Sequence, residues 1–231
     1  MSHESSVAGK PRHRALFGLF VAAVLTLSLS ACGLGRTMEP IGILAPEIDA
    51  PLGQDLEEVD WGVQVRRPTT DRMRDSERVL VRAAPSRLQA YPGVSWLDNA
   101  PDLLQMLTIQ ALEDSGRFQG VGRVGGLQTR FILATELRRF EGVDDGSPDL
   151  SARLVVHAKL VSQRSGRLVA SRTFRFDEPA SGKEIDPLVT AFERALQRYF
   201  EDLLPWLITE GQRDLKEVGE SGQQNRDRQG A

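Results

Sequence analysis

Residues 151–176, SARLVVHAKLVSQRSGRLVASRTFRF, decide how this chain folds. Ala152, Leu154, Val156, Ala158 and Leu160 alternate with Arg153, His157 and Lys159, the period of a half-buried strand. Ser165-Gly166 then offers a tight turn into RLVASRTFRF, so the two runs should pair as an antiparallel hairpin. Just upstream, Phe131, Leu133, Thr135 and Leu137 alternate with Ala134, Glu136 and Arg138, which makes a three-strand meander.

Working outward, Trp61, Val63 and Val65 mark one further strand and Val79, Val81 and Ala83 another. Asp98-Asn99-Ala100-Pro101 supplies helix-start chemistry ahead of DLLQMLTIQALEDSG, and Gly116 supplies its stop. Asp186-Pro187 opens a second helix whose Leu188, Phe192, Ala195, Tyr199 and Leu203 form a core-facing stripe. Pro205 should end or kink it, with Trp206, Leu207 and Ile208 closing over the core edge. The expected architecture is α+β: one domain over 59–208, a mostly antiparallel sheet with two principal helices packed on one face.

The flanks read differently. Lys10, Arg12 and Arg14 precede fifteen uncharged residues, Ala15 to Leu29, the layout of a secretory signal. As a helix that run spans roughly 22 Å, short of the ~30 Å hydrocarbon core, so a permanent membrane span is the weaker alternative. It ends Leu29-Ser30-Ala31-Cys32, which resembles the bacterial lipobox, and Cys32 is the sole cysteine. The resemblance implies cleavage after residue 31 and acylation of Cys32. With Gly33 rather than Asp next to it, it also implies delivery to the outer membrane, facing the periplasm. Several acyl chains, at about 0.8 kcal/mol per buried CH₂, make a stable anchor. Residues 32–58, broken by Pro and Gly, read as a flexible tether, and the polar stretch 209–231 as a disordered tail.

Removing residues 1–31 deletes Lys10, Arg12, Arg14 and Glu4 and takes the net charge from −3 to −5. Nothing in that balance draws the chain to nucleic acid. One cysteine rules out intramolecular disulfides and Cys-cluster metal sites. Gly120-Val121-Gly122-Arg123-Val124-Gly125 satisfies G-x-G-x-x-G, yet a strand pattern and not a helix follows, so it reads as a flexible loop. His157, the only histidine after residue 31, has no G-x-S-x-G partner motif and reads as a surface histidine. Asp144-Asp145-Gly146-Ser147-Pro148-Asp149 lacks an EF-hand frame and reads as a hairpin tip. No cofactor, metal site or catalytic residue is expected.

Charge concentrates instead on the meander, at Arg138, Arg139, Arg153, Arg164, Arg167, Arg172 and Arg175. A solvated face accounts for this, and so does a docking surface for an acidic partner or a lipid headgroup, because guanidinium binds carboxylate and phosphate bidentately. The candidates are Arg138, Arg153, Arg172 and Arg175, with Trp96 as an interface aromatic.

The order of a strand (Leu80-Val81-Arg82), Tyr91, Trp96 ahead of an amphipathic helix, and Gly116-Arg117-Phe118 at its end resembles the ABC-type transport auxiliary lipoproteins. So does the meander with Phe174 and Phe176 followed by the helix around Ala191, Phe192, Ala195 and Leu196. The likeness covers about residues 59–208, although the insertion at 67–77, RPTTDRMRDSE, is more charged than expected. It implies a non-catalytic component of a Mce/Pqi-type system moving lipids or other hydrophobic compounds between the inner and outer membranes. Such a component docks an MCE-domain periplasmic protein, while a separate permease and ATPase use ATP. Homo-oligomers are compatible with this reading. The competing class is a structural or assembly lipoprotein of another envelope machine, for example lipopolysaccharide export or secretion.

Overall fold

The computed structural model describes residues 41–49, 52–126 and 128–229. The signal segment, Cys32 and the first part of the tether lie outside them. Eight strands form one mixed sheet: β1 (Gly42–Leu44), β2 (Val63–Val65), β3 (Arg78–Ala84), β4 (Arg87–Trp96), β5 (Val121–Arg123), β6 (Phe131–Val143), β7 (Ser151–Ser162) and β8 (Leu168–Pro179). The helices are α1 (Ala100–Asp114) and α2 (Ile185–Gln229). The fold is α+β, as the periodicities require.

Strand β6 organises the sheet. One edge carries β7 and then β8, both antiparallel. The other edge is shared end to end by β2 and β3, both parallel to it, with Thr69 bridged to Glu136 between them. Strand β5 extends the sheet beyond β2, and β4 and β1 extend it beyond β3. These parallel pairings are short and join segments distant in the chain, so local alternation carried no signal for them. Two stretches expected to be irregular are therefore strands: β1, within the tether, and β5, within the glycine-rich run.

Alternation fixes the two faces. Ala152, Leu154, Val156, Ala158 and Leu160 of β7 are buried under the helices, and Arg153, Val155, His157 and Lys159 face away. The register of β6 shifts between Leu137 and Arg139. This bulge changes the phase of the strand, from Phe131, Leu133 and Leu137 inward to Phe140 inward, and leaves Arg138 and Arg139 both outside. Three aromatic groups knit sheet to helices: Trp96 with Phe140 and Phe192, Phe174 with Tyr199 and Trp206, and Trp61 with Phe118 and Phe131.

Helix α2 does not stop at Pro205. It continues to Gln229, so the stretch expected to be a disordered tail is helical over its described part. The lost backbone hydrogen bond at Pro205 is offset by docking beyond it. Leu207 and Ile208 are buried, and Gly211 lies so near Trp61 that a Cβ there would sit 2.5 Å from the indole. Asp214, buried one turn later, receives a hydrogen bond from Arg167 on the β7–β8 hairpin. The polarity of 209–231 marks a solvated tail, and these tertiary contacts override it as far as Asp214, whereas Lys216 to Ser221 are exposed.

Candidate docking face

The outward surface of β6, β7 and β8 is open, and across it lies a groove of about 730 Å³ between the β2–β3 connection and β8. The ladder puts Arg139, Val155 and Arg175 in one row across the three strands, and Glu141, Arg153 and Asp177 in the next. Arg138 sits at the bulge beside them. Thus Arg138, Arg153 and Arg175 do share one face, as their spacing predicts, and Arg139 joins them.

The cations of this face differ in how far they are committed. Arg138 donates to Glu136 at 2.8 Å and Arg153 to Asp177 at 2.5 Å, both pairs partly exposed. The bond from Arg138 holds the Glu136 carboxyl below its ordinary range. Arg139 stands 3.6 Å from Glu141, a carboxylate already claimed by two other arginines. Arg175 is exposed and has no ion-pair partner among the described residues. His157, in the next row, meets Thr173 at 2.8 Å through Nδ1. Burial, then repulsion from Arg138 and Lys159, pushes its pKa down.

Two sequence candidates fall elsewhere. Arg172 pairs across the ladder with Ala158, which puts it on the helix-covered side. There it stacks 4.7 Å over the Phe174 ring and reaches Asp202 of α2 at 3.3 Å, clamping the helix to the sheet edge. The parity of Phe174 and Phe176 carries this placement in the sequence. Trp96 is 1% exposed and packs edge-on to Phe192, so it belongs to the core and not to an interface.

One constellation escaped the sequence. Glu141, on the outward phase of β6 after the bulge, is fully buried beneath the β2–β3 connection. It accepts hydrogen bonds from Arg74, itself 5% exposed, and from Arg82 at 2.6 Å. Burial alone would raise its pKa, but the two guanidinium partners outweigh that and lower it. Arg74 also holds Asp71, and Arg67 ties the same connection to α1 through Asp102 at 2.6 Å. The only signal in the sequence was the unusual charge of RPTTDRMRDSE. It shows that a connection with few apolar residues needs another way to seal a sheet face.

The run at Asp144 forms the β6–β7 turn, with Asp144 bound to Lys183 at 3.1 Å. Among the described residues no group of three or more His, Cys, Asp or Glu could hold a metal ion, and no helix is long and apolar enough to cross a membrane.

The described residues form a one-domain α+β fold, a mixed sheet covered on one face by two helices and carrying arginines on its open second face. The chain belongs to the ABC-type transport auxiliary lipoprotein component family, whose model matches residues 46–203. It is similar to protein XCC0632 from Xanthomonas campestris, at 34% identity and a TM-score of 0.70 over 75% of this chain and 99% of that one. The crystal structure of an uncharacterized protein, 12% identical, shares the fold alone, with a TM-score of 0.58 over 73% and 99% of the two chains. An uncharacterized protein of Bradyrhizobium diazoefficiens is 26% identical over 162 residues. The match takes in 68% of this chain and only 42% of that relative's length. That family is described as an auxiliary lipoprotein component of ABC-type transport.

Proposed function

We propose that the chain is anchored through acylated Cys32 in the outer membrane, facing the periplasm, and serves a Mce/Pqi-type system that moves lipids between the two membranes. Residues 1–31 are the removed signal, and the domain docks the MCE-domain partner by binding, without chemistry of its own. The observation that carries the docking reading is the row Arg139–Val155–Arg175. Two guanidinium groups with charge to spare flank an apolar floor on an open sheet face, an arrangement suited to an acidic segment of a partner. Arg138 and Arg153, already paired within the sheet, contribute less.

The test is crosslinking and affinity purification from solubilised envelopes, with partners identified by mass spectrometry. The native chain should recover an MCE-domain protein with its permease and ATPase. Arg139→Glu combined with Arg175→Glu should lose them while the protein remains folded. Retention by that double variant would remove the face from the mechanism. Recovery of an outer-membrane barrel instead would favour the assembly-lipoprotein class.

A further inference from the structure

Three large aliphatic side chains stand out of the opposite edge of the sheet: Ile41 is 59% exposed, Ile43 66% and Leu97 52%. The ladder groups them. Ile43 pairs with Ser95 of β4, and Leu97 follows two residues later, its N–H donating to the Leu44 carbonyl at 2.9 Å. Leu44 pairs with the fully buried Trp96, so by alternation Ile41, Ile43, Ser95 and Leu97 share the side that faces away from the helices. Arg78 pairs with Ser95 from the other side, exposed and without an ion-pair partner among the described residues. Glu77 and Asp98 lie next to Arg78 and Leu97 in the chain. An aliphatic cluster with a cation at its border suits an interface between hydrocarbon and headgroups better than it suits water.

The covalent chain says what covers it. Eight residues lie between Cys32 and Ile41, and the nine Cα-to-Cα steps that join the two reach at most about 30 Å when extended. If Cys32 is acylated, as the proposed function holds, Ile41 stays within about that distance of the bilayer surface, with Ile43 and Leu97 beside it on the sheet edge. We infer that Ile41, Ile43 and Leu97 form a membrane-contact patch that inserts into the lipid headgroup boundary and fixes the orientation of the domain on its tether. By strand order β1 lies three spacings from β6 and five from β8, roughly 14 and 24 Å along the sheet, which sets the patch apart from the Arg139–Arg175 row.

The experiment uses the full lipidated chain in vesicles of phosphatidylethanolamine and phosphatidylglycerol. Single nitroxide labels are placed through Ile43→Cys, Leu97→Cys and, as a control at the far edge, Leu168→Cys. Acylated Cys32 does not react with the label. Accessibility to oxygen relative to a water-soluble nickel chelate should be several-fold higher at 43 and 97 than at 168. Equal, water-like ratios at all three positions in protein that co-floats with the vesicles would overturn the patch while leaving the anchor standing. Spin–spin broadening at position 43 would mean that a second copy covers it, and would overturn the inference too. Chains that fail to float, with Cys32 open to the label, would overturn the anchor and the patch together.

Discussion

Replacing Glu141 by Gln should cost the domain several kilocalories per mole. Its carboxylate is fully buried, and both arginines that bond to it are largely shielded, Arg74 at 5% and Arg82 at 19% side-chain exposure. Removing one partner of a buried ion pair typically costs about 3–5 kcal/mol, because the remaining charge is left unpaired in a poor solvent. Arg74 keeps Asp71, which is half exposed, so the lower end of that range, about 3 kcal/mol, applies here. For a domain of this size that corresponds to roughly 6–12 °C in Tm. Urea unfolding at pH 7 measures it directly. A paired replacement, Arg74→Met with Glu141→Leu, should recover much of the loss, since apolar isosteres often match a buried ion pair. The pH dependence has a fixed sign. The carboxyl pKa is lowered in the folded protein, so its contribution is complete above the ordinary value of 4.5 and fades as the pH falls through the folded value. The gap between native protein and Glu141→Gln should therefore close in acid. A loss below about 1 kcal/mol at pH 7, the scale of an exposed pair, would refute the reasoning.

Gly211→Ala should destabilise by about 1–3 kcal/mol through overpacking against Trp61, with a shift in tryptophan emission. An unchanged urea midpoint would show that helix α2 does not dock at that point. Ending the chain after Ile208 should lower Tm, because the Asp214–Arg167 contact and Leu215 are lost with the rest. Equal Tm values would restore the reading of a passive tail. Trp96→Ala should cost about 3–5 kcal/mol, yet Trp96→Phe should keep partner recovery intact, which separates a core role from an interface role. His157, followed by NMR, should titrate below 6.5, and a midpoint above it would contradict its burial beside Arg138 and Lys159.

What could be read in the sequence was whatever repeats within a few residues. The stripe of Leu188, Phe192, Ala195, Tyr199 and Leu203, the helix-start residues Asp98 to Pro101 with the stop at Gly116, and the two-residue alternation of β6 and β7 mark both helices, the meander and the face on which Arg138 and Arg153 lie. Arg172 shares the parity of Phe174, so strand phase, and not residue type, puts it on the helix-covered side. The parallel partners of β6, the burial of Glu141 and the order beyond Pro205 all depend on contacts between distant segments: Thr69 with Glu136, Arg74 with Glu141, Gly211 with Trp61. No window of neighbouring residues contains those pairs.

The bulge between Leu137 and Arg139 makes β6 behave as two half-strands written in opposite reading frames. Delete Arg138 there, and Leu137, Arg139 and Phe140 would still face Val156, Val155 and Leu154, so Phe140 would keep its place against Trp96 and Phe192 and Glu141 its place outside. The bulge thus absorbs a residue that neither the hydrophobic core nor the buried ion cluster requires, and what that residue adds is a second adjacent cation on the open face. A relative one residue shorter between the Phe131 and Phe140 equivalents should therefore show an unbroken ladder with both aromatics still inward, no change on β7, and one outward cation fewer.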